Sequence, residues 1–186
     1  IERTNTLGGT TAWTFYNLKL GNGSVVGTTT PAGTATTTIL GQLTINNAHF
    51  LRGNSSLWNL NGSGTVFIET GNFLEDTTLV RYSGANANIL ASTYYDLRLD
   101  AAAGSSTYTG TGSGISILRD LTVGGTASTT ANFTTSDPIL TVTRDVLVNS
   151  GSTLIGSDSA SFSIAGSYDN NGTFVGSGGT VTLTGT

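Results

Sequence analysis

Residues 14–20 read TFYNLKL, and residues 93–99 read TYYDLRL. In the first stretch Leu18 and Leu20 fall on one side and Asn17 and Lys19 on the other, the period-two alternation of a half-buried strand. The second keeps the leucines at Leu97 and Leu99 and exchanges the outward pair for Asp96 and Arg98. Another match follows at almost the same offset, ILGQLTI at 39–45 against ILRDLTV at 117–123. A looser one pairs VFIETGNF at 66–73 with FSIAGSYDN at 162–170. Self-similarity at a fixed period marks a solenoid. The sequence therefore predicts a single domain over 1–186 built from two unequal repeats, about 14–92 and 93–186. The second repeat carries an additional strand pair in ILTVTRDVLV, 139–148, and residues 1–13 continue the pattern of the C-terminal end.

The composition agrees with an all-β chain. Among 186 residues there are 35 Thr, 20 Ser and 26 Gly, against seven Lys or Arg and eleven Asp or Glu. Thr is stiff at χ1 and suits a pleated strand. Strands are expected near 13–20, 39–45, 65–68, 78–82, 94–99, 115–123, 139–148, 161–165 and 180–184. Gly- and Asn-rich punctuation between them (Gly21-Asn22-Gly23, Asn170-Asn171-Gly172) permits tight corners. No segment shows a helical stripe. Two all-β architectures fit these strands: a right-handed parallel β-solenoid (β-helix), and a β-sandwich, which needs no internal repeat. The duplication favours the solenoid.

A net charge of −4 argues against nucleic acid, whose binding needs clustered cations. No 18-residue apolar run is present, so membrane insertion by a helix is not expected. The chain opens on Ile1, with no signal peptide in view, as a processed protein or a piece of a longer one would. Absence of Cys and Met with a single Lys leans towards an exterior location.

GSYDNNGTFVGSGGTVTLTG at 166–185, with FYNLKL and ILRDLTVGG, resembles the Gly/Thr-rich repeat regions of large bacterial and archaeal cell-surface adhesin-like β-helix proteins. The likeness runs over nearly the whole chain and is least regular at 50–62, FLRGNSSLWNLNG. It implies a β-helical architecture and a structural, extracellular role, and it brings no catalytic residue.

Few residues invite chemistry. His49 is the only histidine and there is no cysteine, so a zinc site is not expected; in NNAHF it reads as an exposed loop residue. Glu75 and Asp76 are adjacent and read as a turn, not the facing carboxylates of a glycosidase. Asp120 and Asp145 follow Arg119 and Arg144 in LRDL and TRDV. Stacked coils would align them, either as an outward ladder of alternating charge or as a lyase-like cluster with calcium; the ladder is favoured. The Ca²⁺-binding nonapeptide GGxGxDxUx is absent. Trp13, Tyr16, Trp58, Tyr94, Tyr95 and Tyr108 could stack on sugar rings and read better as core or corner packing. Asn22, Asn54, Asn61, Asn132 and Asn171 fit the N-x-S/T glycosylation pattern. TTT at 28–30 and 36–38 hints at ice binding without a regular T-x-T ladder.

These features predict a non-enzymatic protein without cofactors. Its role would be that of an adhesin segment, or the subunit of an extracellular filament assembling head to tail; a carbohydrate-binding or polysaccharide-degrading β-helix is the alternative. Partners are expected to be identical subunits or flanking repeats, with surface glycans a further class. Joining TVTLTGT to IERTNTLGGTTAWTFYNL repeats the grammar of 78–99. The expected assembly ends are Ile1 and Thr14 on one side and Val181 and Leu183 on the other.

Overall fold

The computed structural model describes residues 3–125 and 127–185. Ile1, among the expected assembly residues, lies outside the described residues. The described chain contains 25 short strands and no helix. In chain order they begin β1 (Asn5–Leu7), β2 (Trp13–Phe15), β3 (Leu18–Leu20), β4 (Gly27–Pro31), β5 (Thr37–Ile39) and β6 (Leu43–Ile45). Then come β7 (His49–Arg52), β8 (Leu57–Leu60), β9 (Phe67–Glu69), β10 (Asn72–Leu74), β11 (Leu79–Tyr82), β12 (Asn88–Ile89) and β13 (Thr93–Tyr94). The third stretch holds β14 (Asp96–Leu99), β15 (Ser106–Gly110), β16 (Gly114–Ile117), β17 (Leu121–Val123), β18 (Thr129–Asn132) and β19 (Ile139–Val142). The last is β20 (Val146–Val148), β21 (Thr153–Ile155), β22 (Phe162–Ile164), β23 (Tyr168–Asn170), β24 (Thr173–Val175) and β25 (Val181–Leu183).

Every pairing between these strands is parallel, which excludes the β-sandwich. The fold is a β-solenoid with three strands per coil. One sheet runs the full length in the order β2-β5-β8-β11-β14-β17-β20-β23. The other two faces are each interrupted. The face leading into the long sheet is β1-β4-β7-β10 and then β13-β16-β19-β22-β25. The face following it is β3-β6-β9 and then β12-β15-β18-β21-β24, bridged across the break only at Gly64 and Ala87.

The break has a simple origin. Along the long sheet Thr37 stacks on Trp58 and Leu121 on Val146, 21 and 25 residues apart; Val80 stacks on Leu97 only 17 residues on. That short coil cannot span all three faces at full length. Buried tyrosines close it from inside. The Tyr82 and Tyr94 hydroxyls lie 3.0 Å apart, Tyr94 donates to the Leu90 carbonyl at 2.8 Å, and Tyr82 accepts the Leu90 N–H at 3.3 Å. Burial pushes the Tyr82 phenol up to about 12, so both rings stay neutral.

Inward columns fill the core. Val80, Leu97, Leu121 and Val146 follow one another up the long sheet, beside Tyr82, Leu99, Val123 and Val148, all buried. The expected strands at 13–20, 39–45, 115–123 and 139–148 are each two strands joined at a corner. Strands at 27–31, 106–110 and 129–132 lie outside the expected set: with Thr29, Ser106 and Thr129 facing inward, Tyr108 and Ala131 alone are too sparse to make an apolar alternation.

Leu18 and Leu97 are both buried, on different sheets: Leu18 on the following face and Leu97 on the long sheet. Their corners are nonetheless bonded alike. Leu40 N donates to Phe15 O and Leu118 N to Tyr94 O; Leu18 N donates to Gln42 O and Leu97 N to Asp120 O. Strands β2, β3, β5 and β6 correspond to β13, β14, β16 and β17, an offset of eleven strands. Eleven is not a multiple of three, so the repeated corner lands on another vertex.

Candidate functional site

Three features could carry function: a charged corner, a groove at the break, and the two end coils. The corner lies where β13, β16, β19 and β22 turn into the long sheet. Asp96 Oδ1 accepts the Asp120 N–H at 3.2 Å, Asp120 Oδ1 accepts the Asp145 N–H at 3.3 Å, and Asp145 Oδ1 accepts the Ser167 N–H at 2.8 Å. Arg119 embraces Asp96 through both Nε (2.7 Å) and Nη2; Arg144 does the same to Asp120, again with Nε at 2.7 Å. Hydrogen bonding to these carboxylates raises both guanidinium pKa values further. Arg119 also sits 5.0 Å from the centre of the Tyr95 ring. The arrangement is the outward charge ladder, with one correction: Asp96 is buried, because it bonds Arg119 and the next coil at once. A second cluster lies past the other end of β14, where Arg81 and Arg98 both reach buried Asp100, at 2.8 and 2.9 Å. These carboxylates are neutralised by neighbouring arginines, and no group of three or more His, Cys, Asp or Glu side chains with metal-binding placement occurs among the described residues.

The groove, of about 670 Å³, opens where β10 ends its face and β13 begins the next. Phe73 and Glu75 form one wall; Ser92, Thr93, Ser116 and Thr141 contribute hydroxyls. Glu69 bridges it, accepting the Phe73 N–H at 2.7 Å and the Ser92 hydroxyl at 2.8 Å. A side chain thereby satisfies a strand edge that the short coil leaves without a ladder. Glu75 and Asp76 form a turn, as expected, with Asp76 at φ 45° bonding the Arg52 guanidinium.

No protein-family model, curated protein or solved structure matches the chain.

At the end coils some in-facing side chains stay exposed, while Leu7, Leu18 and Leu20 of the first coil are buried. Trp13 is 43% exposed at the N-terminal end; Val181 and Leu183 are 39% and 59% exposed at the other. Thr14 is exposed beside Trp13. Of the aromatic residues, Trp58, Tyr94 and Tyr108 are core, while Trp13 and Tyr16 are exposed on the first coil. His49 is a correction to the expected loop residue: it lies in β7, wholly buried, with Nε2 2.9 Å from the Thr29 hydroxyl. Its packing against Gly21 explains the position, since a Cβ at Gly21 would overlap the His49 Cβ.

The glycosylation motifs differ in access. Asn22 and Asn171 are exposed, with Asn22 Oδ1 accepting the Ser24 and Val25 N–H groups and Asn171 Nδ2 donating to Asp169. Asn54 is part-buried and donates its Nδ2, the atom a glycan would need, to the Pro31 carbonyl at 3.1 Å. Asn61 is part-buried in the turn after β8, and Asn132 lies within β18.

Proposed function

We propose that this chain is a structural, non-catalytic, extracellular protein: a β-solenoid segment whose end coils are continued head to tail by like coils. The continuing coils belong to flanking repeats of a cell-surface adhesin-like chain or to identical subunits of a filament. The observation that carries this reading is the exposure of large apolar side chains on the end coils, Trp13 on the first and Val181 with Leu183 on the last, although Leu7, Leu18 and Leu20 of the first coil are buried. Parallel strand edges at these ends offer the ladder positions on which another parallel strand can pair. A contact of this kind does not close on itself, so it propagates. Low charge leaves little repulsion to oppose it. The paired state of Asp96, Asp120 and Asp145 supports the non-catalytic part, since each is committed to the next coil. The test is sedimentation and electron microscopy of the purified 186-residue chain. Fibres or elongated oligomers that dissolve on Val181→Asp with Leu183→Lys are expected. A chain that stays monomeric at millimolar concentration overturns the reading.

The groove favours a second reading, surface-glycan binding, because hydroxyls, Glu75 and the Phe73 wall line one open cleft. Titration with soluble oligosaccharides, with Thr141→Val as control, separates the two.

A further inference from the structure

We propose that the groove between β10 and β13 takes an extended peptide strand of another protein, one that alternates apolar with basic side chains. The proposal stands apart from the end-to-end reading above, and it makes a peptide, not a glycan, the occupant of this cleft.

Two strand edges face the groove. β10 and β13 are successive strands of one face, yet no ladder joins them. In a parallel ladder alternate residues direct their N–H and C=O to opposite edges. Leu74 turns its carbonyl to the Gly53 N–H of the preceding coil at 2.6 Å, so its neighbour Phe73 faces the groove. Ser92 and Tyr94 turn theirs to the N–H groups of Ser116 and Leu118 in the following coil, at 3.1 and 2.8 Å, so Thr93 faces the groove from the other wall. Both Phe73 and Thr93 line the cavity. Edges of this kind are templates for a further strand, and peptides bind by adding themselves to them.

Glu69 gauges the width of the slot. Its carboxylate lies between the walls, with one oxygen on the Phe73 N–H at 2.7 Å and the other on the Ser92 hydroxyl at 2.8 Å. It stands where a carbonyl of an intervening strand would stand. Beyond it the Phe73 carbonyl and both backbone groups of Thr93 are directed into a cavity of about 670 Å³, a size that suits a short extended segment.

The lining selects the side chains. Glu69 and Glu75 are its only charged residues, and Glu75 makes no ion pair among the described residues. Leu90 and Ile139, the latter 52% exposed, supply apolar surface. A strand that alternates lysine with valine offers a partner to each. Phe73 is only 7% exposed, which leaves little ring surface for a sugar to stack on. Five of the six arginines, Arg52, Arg81, Arg98, Arg119 and Arg144, are held in ion pairs of this chain's own, so a different protein, not a second copy, supplies the basic strand.

The probe is an acetylated, amidated peptide that alternates valine with lysine over about seven residues, titrated into the full chain by calorimetry. The parent chain is expected to bind it at submillimolar concentration and to ignore the valine–glutamate counterpart. The same peptide N-methylated at alternate residues lacks the donors for one wall and is expected to bind about tenfold more weakly. Thr93→Pro removes an edge N–H that belongs to no ladder and should weaken binding to a similar degree. Glu75→Gln should weaken it about three- to fivefold. Absence of binding by the parent chain, or equal binding of the methylated peptide, overturns the proposal and leaves the end-to-end reading standing. Unchanged binding by a folded Thr93→Pro chain overturns it too; where thermal unfolding shows that variant to be misfolded, the methylated peptide decides. Soluble oligosaccharides that bind the parent chain when the peptide does not assign the cleft to a glycan instead.

Discussion

Asp120 Oδ1 accepts the backbone N–H of Asp145 from the coil that follows, at 3.3 Å, while the Arg144 guanidinium donates to both of its oxygens. One carboxylate thus joins two coils twice. Arg144 is about half exposed, so solvent and salt screen the ion pair and it contributes little by itself. The backbone N–H is the more important partner, because an unmet amide costs about 1–3 kcal/mol. Asp120→Asn keeps an acceptor oxygen and is expected to retain most of the stability. Asp120→Ala is expected to lose about 1–3 kcal/mol. Urea unfolding of both variants decides the matter; equal losses would assign the energy to charge.

Leu97 lies in the middle of the solenoid, between Val80 and Leu121, whereas Leu18 is on the first coil with a neighbour on only one side. Leu97→Ala is expected to cost about 2–5 kcal/mol, as large-to-small core changes do. Leu18→Ala should cost less in the monomer and should weaken assembly as well. Denaturant midpoints measured above and below the assembly concentration distinguish the two effects.

His49 gives a clean pH signature, since no other histidine is present. Its burial lowers the ring's pKa below the ordinary 6.5. The unfolded chain then binds the proton first as pH falls, so the stability that the neutral ring provides is complete above about pH 6.5 and declines below it. Stability measured from pH 8 to pH 5 should fall for the parent chain and stay flatter for His49→Gln. A parent curve as flat as the variant's would show that the ring is hydrated.

Gly84 lies beneath no side chain of its own, yet its place is tightly bounded. A Cβ there would overlap the Gly62 carbonyl oxygen and the Asn61 backbone of the preceding coil. Tyr108 also donates to the Gly84 carbonyl at 2.8 Å from the coil after. Gly84→Ala is expected to destabilise by about 1–3 kcal/mol or more through overpacking. Thermal unfolding near that of the parent would mean that the coils can part at this column.

The solenoid was legible in TFYNLKL and TYYDLRL because inward leucines at period two declare themselves whatever the surroundings. The corners inside 13–20 and 115–123 were not. A two- or three-residue bend such as Tyr16-Asn17 or Leu118-Arg119-Asp120 preserves the alternation on both sides and so looks like one strand. The charge ladder of Asp120 and Asp145 was readable from the recurring Arg-Asp dipeptide, but the burial of Asp96 was not, since its preceding residue is Tyr95 and its arginine comes from the next coil. His49 was misread for a related reason. Its cover is Gly21, and the lack of a side chain leaves no pattern to detect. The groove follows from a coil of 17 residues, a length that has meaning only once register is known.

The eleven-strand duplication in a three-strand coil bears on how such a chain can grow. Any feature copied with its repeat reappears turned to another side, and only after three copies does it face its starting direction again. Lengthening by this unit cannot multiply a docking patch along one flank. It distributes the patch around the rod, so that a partner approaching from any side meets a copy, while two copies on the same side stay about thirty-three strands apart. A rod of this kind would engage a surrounding matrix evenly and a flat surface only sparsely.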